Sequence, residues 1–294
     1  MRVENPDGWC FQGRPTHGFG IAQTTRGASF TVVGPVLPYS ARFWRGCAYW
    51  QGAALGKIVA ANWKMNLRRQ SGCELASALK TDGRECWLFP SFTLLAPIAD
   101  TLIGGTLKLG AQDLSPELDG AFTGDVSAEM LGDAGCTMVL VGHSERRHGH
   151  GEQGELLLRK LKRAAEAGLK PLYCVGETLE EREAGRAKEV VKEHLSVLKD
   201  LQGTCAAVAY EPVWAIGTGL TATPEQAAEM HAFIRDELTK LGLTDLPILY
   251  GGSVKPGNAK DLMTQPHVDG VLVGGASLKL DSLRAIDDVA REIG

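Results

Sequence analysis

Cys205-Ala206-Ala207-Val208-Ala209-Tyr210-Glu211-Pro212-Val213-Trp214-Ala215-Ile216-Gly217-Thr218-Gly219 changes character three times. It opens as an apolar run of strand length with no polar face, the signature of a strand covered on both sides. A carboxylate follows at once, then a proline and a large aromatic, then a small-residue segment closing in glycines. Pro212 stiffens one end of that segment, and Gly217 and Gly219 leave the other end free to swing. Glu211 therefore reads as a base beside a lid. A salt-bridged residue at a strand end would look the same in this run alone.

Similar runs recur from Gly56 onward. They fall at 57–61, 86–89, 106–110, 137–141, 171–175, 205–210, 247–250 and 268–273, mostly apolar on both faces. Helical patterns separate most of them. Leu157, Leu158, Leu161 and Ala165 mark one apolar stripe, and Val191, Leu195 and Leu198 another. Thr223-Pro224-Glu225-Gln226 supplies a cap, a proline in the first turn and the Gln of a capping box before Ala227, Met230, Ile234 and Leu238. The charge run 180–183 reads as a solvated helix face. About eight strands alternating with helices predict an α/β protein, a (β/α)8 TIM barrel, rather than an open doubly wound sheet. No Gly-x-Gly-x-x-Gly turn follows the first strand, which lowers the dinucleotide-binding alternative.

The totals agree with this class. The chain has 294 residues, 44% hydrophobic and 22% charged, with a formal net charge of -4. That balance gives no reason to expect nucleic acid or an anionic membrane as partner. No apolar run approaches the roughly 20 residues of a membrane helix. Seven scattered cysteines without C-x-x-C spacing suit free thiols in a reducing compartment.

Residues 1–54 differ from the rest. They are rich in Gly, Pro and aromatics, carry no lysine, and hold only Glu4 and Asp7 as acids. The expectation is a poorly structured or non-functional extension before a catalytic barrel over 55–294. A wrongly chosen start, a targeting segment and an ordered binding arm all remain open readings.

In a barrel of this kind chemistry gathers at the carboxyl ends of the strands. The first run ends in Asn62-Trp63-Lys64-Met65-Asn66, where Lys64 can carry a fixed charge to an anion. The fourth ends in Gly142-His143-Ser144-Glu145-Arg146-Arg147. A helix starting there would keep the His143 imidazole neutral beside its positive dipole end. The last two runs end in Gly251-Gly252-Ser253 and Gly274-Gly275-Ala276-Ser277, and Asn258 to Met263 can form a helix behind the first pair. Adjacent turns of small residues let backbone N–H groups approach a phosphate.

These motifs, with Tyr210 to Gly219, Tyr250 to Val254 and Gly270 to Leu278, closely resemble the triosephosphate isomerase family. The resemblance spans residues 56–294 and none of the first 55. It implies interconversion of dihydroxyacetone phosphate and D-glyceraldehyde 3-phosphate through an enediol(ate), in glycolysis and gluconeogenesis. By resemblance Glu211 is the base, neutral His143 moves protons between the oxygens, Lys64 and Asn62 offset developing charge, and Glu145 stands beside Lys64. Backbone N–H groups at Gly217, Ser253, Gly274 and Gly275 would hold the phosphate. The resemblance calls for no metal and no organic cofactor, and implies a cytoplasmic homodimer. Its intersubunit loop would be 112–130, with Thr123 near the partner's active site. Rival readings are a non-catalytic phosphate-binding protein on the same scaffold and another sugar-phosphate isomerase. The chain departs from the family at Ala61, at Leu220 and over His148 to Gly151, where a solvated loop is expected rather than a metal site. Cys174 is expected to pack rather than react.

Overall fold

The computed structural model describes residues 56–83, 86–199, 201, 203–217 and 221–294. The expected extension over 1–54, and Gly219 and Leu220 of the expected lid, lie outside the described residues. Eight strands are paired in parallel in chain order: β1 (Ile58–Asn62), β2 (Cys86–Phe89), β3 (Lys108–Ala111), β4 (Met138–Val141), β5 (Lys170–Val175), β6 (Ala207–Tyr210), β7 (Ile248–Tyr250) and β8 (Gly270–Val273). The sheet closes with β8 on β1, Ile58 beside Gly270 and Ala61 beside Val273. This is the expected TIM barrel.

The surrounding helices are α1 (Arg69–Thr81), α2 (Leu95–Leu102), α3 (Ala128–Asp133), α4 (Ser144–His150) and α5 (Gly154–Glu166). They continue with α6 (Leu179–Glu183), α7 (Ala187–Ser196), α8 (Pro224–Lys240), α9 (Ala259–Met263) and α10 (Leu280–Ile293). The capping box before α8 forms: Thr223 Oγ1 accepts from the Gln226 N–H at 3.2 Å while Gln226 Oε1 accepts from the Thr223 N–H at 2.9 Å. In α5 the buried stripe is Leu157, Leu161 and Ala164, with Ala165 rotated partly outward.

Period-two alternation sorts the strand residues into two layers. Val59, Ala61, Leu88, Val139, Val141, Val208, Ile248 and Val271 face the helices. Ile58, Ala60, Trp87, Phe89, Met138, Leu140, Leu172, Cys174, Ala207, Ala209, Leu249 and Leu272 fill the lumen. Continuing that inward register past the strand ends reaches Asn62, Gly142, Gly176, Glu211, Gly251 and Gly274. The alternation that packs the lumen thus aims one amide, one carboxylate and four glycines at the same mouth.

Candidate active site

Asn62, Lys64, His143, Glu211, Gly217, Ser253, Gly274 and Gly275 all border one cavity of about 590 Å³ at this mouth. Glu145, on the first turn of α4, reaches it through Lys64, whose Nζ lies 2.5 Å from Glu145 Oε1. The structure therefore gathers Asn62, Lys64, His143, Glu145, Glu211 and Ser253 at one mouth, while Thr123 lies on an exposed loop away from it. The lining also includes Lys255 and Lys279, which the sequence reading passed over.

Lys64 adopts φ +51, uncommon for a side chain with a Cβ. Two amides hold it there: Asn62 Oδ1 accepts from the Lys64 N–H at 2.9 Å, and Gln112 Nε2 donates to the Lys64 carbonyl at 2.9 Å. The same Gln112 nitrogen donates to Phe89 O at 2.8 Å, tying the first and second strand ends together.

His143 is the N-cap of α4. Its Nδ1 accepts from the Glu145 N–H at 3.2 Å, so the ring proton is on Nε2, 3.0 Å from Glu211 Oε1. The helix start thus fixes the tautomer as well as the position of the ring. Burial pulls the His143 pKa down, and the charge and hydrogen bond of Glu211 pull it up, with a net upward shift in this arrangement. A helix N-terminus alone is expected to lower it; the adjoining Glu211 carboxylate is the added influence that raises it. The Glu145 N–H aimed at Nδ1 opposes this by disfavouring a second proton there.

Glu211 is 2% exposed. Burial raises its pKa, but contact with His143, the Ser144 N–H at 2.8 Å and Lys64 prevail, and the group is held below the ordinary carboxylate range. It is ionised at neutral pH, as a base must be. Its backbone N–H donates to Val175 O at 2.7 Å.

The space around this carboxylate is made by absence of side chains. A Cβ on Gly176 would lie 1.8 Å from Glu211 O, and one on Gly251 would lie 2.9 Å from Glu211 Cγ. Gly251→Ala is expected to fold, push the carboxylate aside and lower kcat about 100-fold, the scale of a misplaced catalytic group. Steady-state rates checked beside a crystal structure of the variant test this; an unmoved Glu211 with parental kcat would refute it.

The segment that follows Glu211 starts on a buried anchor. Glu177 is fully buried, and its Oε1 accepts from Trp214 Nε1 at 2.9 Å, Arg182 at 3.0 Å and Tyr210 OH at 3.1 Å. Arg182 also lies 5.0 Å over the Trp214 ring. The run 180–183 is thus not wholly solvated: Arg182 turns inward to Glu177 and Trp214.

A family model described as triosephosphate isomerase matches residues 57–290. The chain belongs to the triosephosphate isomerase family. A triosephosphate isomerase of Rhodopirellula baltica is 47% identical over 242 residues, covering 78% of this chain and 95% of that protein. Those of Xanthomonas oryzae pv. oryzae and Stenotrophomonas maltophilia are each 48% identical over 241 residues, covering 78% of this chain and 96% of theirs. The triosephosphate isomerase match takes in every candidate residue and stops short of residues 1–56.

Some departures from the family's motifs now have a physical place. Ala61 packs on the helix side of β1 and is fully buried, where a methyl group fits without touching the site. His148 and His150 lie exposed on α4, not in a loop, and among the described residues no group of three metal-ligating side chains includes them. Cys174 is fully buried in the lumen, and burial beside Glu211 pushes its thiol well above the ordinary range, which suits packing rather than nucleophilic work.

Proposed function

We propose that this chain interconverts dihydroxyacetone phosphate and D-glyceraldehyde 3-phosphate by proton transfer through an enediol(ate). The observation that carries the reading is the buried Glu211 carboxylate 3.0 Å from His143 Nε2, beside Lys64 and a glycine-rich rim. Glu211 takes a proton from one substrate carbon and returns it to the next. His143 donates from Nε2 to the carbonyl oxygen and recovers a proton from its neighbour. Lys64, supported by Asn62, stabilises the negative charge that grows on those oxygens, and Glu145 orients Lys64. Backbone N–H groups at Gly217, Ser253, Gly274 and Gly275 take the phosphate. Each contact aids the reaction to the extent that it strengthens toward the enediolate.

A coupled assay of glyceraldehyde 3-phosphate isomerisation on the folded chain tests the reading. Turnover abolished by Glu211 and His143 substitutions is the expected result; a folded parent without turnover would leave phosphate binding alone.

A homodimer is part of the proposal. Residues 118–125 form an exposed tip carrying Leu118 and Phe122, braced by Ser115 N–H to Val126 O at 2.8 Å and Ser115 Oγ to Asp125 Oδ2 at 2.7 Å. Met65, beside Lys64, is 93% exposed. An ordered loop holding an aromatic in water, and a bare Met at the active-site rim, fit reciprocal insertion across a two-fold axis. Thr123 would then approach the partner's active site. Phe122→Asp is expected to convert a dimer into a monomer in sedimentation equilibrium; an unchanged dimer would remove this loop from the interface.

The described cysteines are free thiols, and no described helix is long and apolar enough to cross a membrane. The free thiols support the cytoplasmic reading drawn from the sequence.

A further inference from the structure

The second arginine of Gly142-His143-Ser144-Glu145-Arg146-Arg147 points into the protein. Arg147 is 6% exposed, and its guanidinium lies 5.6 Å from the Tyr173 ring centroid. Its Nε donates to Gly142 O at 2.8 Å, and its Nη2 donates to Cys174 O at 2.9 Å and to Tyr173 OH at 3.1 Å. Among the described residues no carboxylate lies within 4.0 Å of it. Lys160, also buried, shows the usual solution: it sits between Asp113 at 2.6 Å and Glu152 at 2.8 Å. A cation buried without a counter-ion is costly, and simple packing in this spot would be served by an uncharged residue.

What the fork grips suggests its purpose. Gly142 is the residue before His143 and turns the chain at φ +74, so its carbonyl reports the orientation of the catalytic ring's backbone. Cys174 immediately precedes Val175, whose carbonyl accepts the Glu211 N–H at 2.7 Å. Arg147 therefore bridges the strand end that carries the imidazole and the strand end on which the carboxylate hangs. A third tie runs on from Tyr173, whose hydroxyl donates to His194 O at 2.8 Å on α7. The planar fork reaches carbonyls in two directions at once, a geometry that a lysine ammonium on its flexible stem does not reproduce.

We infer that Arg147 is a positioning residue for the isomerisation, its fork tying the Gly142 and Cys174 carbonyls and so setting the distance between His143 and Glu211. The inference rests on the function proposed above. It acts through backbone, so it bears on the spacing of the acid and base and not on the hold on phosphate.

The test uses the full chain carrying Arg147→Lys or Arg147→Met, each shown folded by a cooperative melt. The expected result is a kcat about 100-fold lower for Met and at least about 10-fold lower for Lys, the scale of a displaced catalytic group, with KM little changed. Loosening His143 from Glu211 also removes an influence that holds the carboxylate pKa down. The acid limb of kcat/KM is therefore expected to move to higher pH. Nitrogen-15 spectra of the histidine rings should show His143 leaving its single Nε2–H tautomer. A role confined to stability would lower the melting temperature and leave kcat, the pH limb and the ring spectrum at parental values, and that result overturns the inference. If the Met variant does not fold, parental kcat in the Lys variant overturns it alone. The parent chain is assayed first: an inactive folded parent sinks the proposed function and this inference with it, whereas an active parent with indifferent variants sinks only the inference.

Discussion

Glu211→Gln is expected to fold as the parent does and to isomerise about 1,000- to 10,000-fold more slowly. The amide keeps the volume of the side chain and can still accept from the Ser144 N–H now 2.8 Å from Glu211 Oε2. It cannot take a proton from carbon, and a positioned general base contributes about 10²–10⁴-fold. The large end of that range applies because, among the described residues, no other carboxylate lines the cavity to substitute for it. Substrate affinity should change little, since the proposed phosphate contacts are backbone N–H groups at Gly217, Ser253, Gly274 and Gly275 and not the Glu211 side chain. Single-turnover rates with glyceraldehyde 3-phosphate, compared with equilibrium binding of the same ligand, separate the two effects. Parental turnover in the Gln variant would remove Glu211 as the base.

Lys160→Met is expected to cost about 3–5 kcal/mol of stability, the usual price of stripping one partner from a buried charge cluster. Asp113, Glu152 and Lys160 are each nearly inaccessible, and Arg146 completes the set at 2.8 Å from Asp113 and 2.5 Å from Glu152. Methionine keeps the straight stem and leaves two buried carboxylates sharing one guanidinium. The pH dependence carries opposite signs at the two acids. Burial raises the Glu152 pKa, but hydrogen bonds and charge from Lys160 and Arg146 hold it below its ordinary 4.5. Its contribution to stability is thus complete above that value and lost as pH falls through the folded pKa. Burial of Asp113 outweighs Lys160 and leaves its pKa above 3.8. Its contribution is complete below that value and fades as pH rises through the folded pKa. In the variant both groups lose a cation and both pKa values rise. The deficit should therefore be largest near neutrality and shrink toward about pH 4, as protonation relieves the stranded charges. Denaturant titrations of both proteins across that range decide it; a deficit that is small, or flat with pH, would contradict the assigned network.

The barrel was legible because its information is local. Nearly every apolar run is strand-length, most are separated by a helical stripe or a cap, and parallel strands buried on both faces show little polar residue to confuse the pattern. Errors in the strands are confined to edges, as at residues 268–269, where Asp269 serves Arg235 and the Ile248 N–H and the strand starts only at Gly270. Asn62, Lys64, His143 and Glu211 were legible because strand ends are named by the same rhythm that defines the strands. The supporting shell was not. Lys160 meets Asp113 from 47 residues away, Trp214 meets Glu177 from 37, and Arg147 meets Cys174 from 27. None of these pairs has a periodicity or a spacing rule; each exists only once the barrel has closed. Arg182 shows the same limit, since a charge run on a short helix carries no mark of the one residue that turns inward.

The glycines beside Glu211 bear on how this chain could change over generations or in a directed library. Every coding substitution at a glycine adds at least a methyl group, and at 176 that methyl would meet backbone 1.8 Å away. Drift therefore has no neutral step there, and selection can act on the base only by keeping its surroundings bare. Diversity aimed at a new substrate belongs instead at Ile216, Lys255 and Lys279, whose side chains border the same cavity without walling in the base. The inheritance of the Glu211 carboxylate and its surroundings is thus secured as much by residues with no side chain as by those that line the cavity.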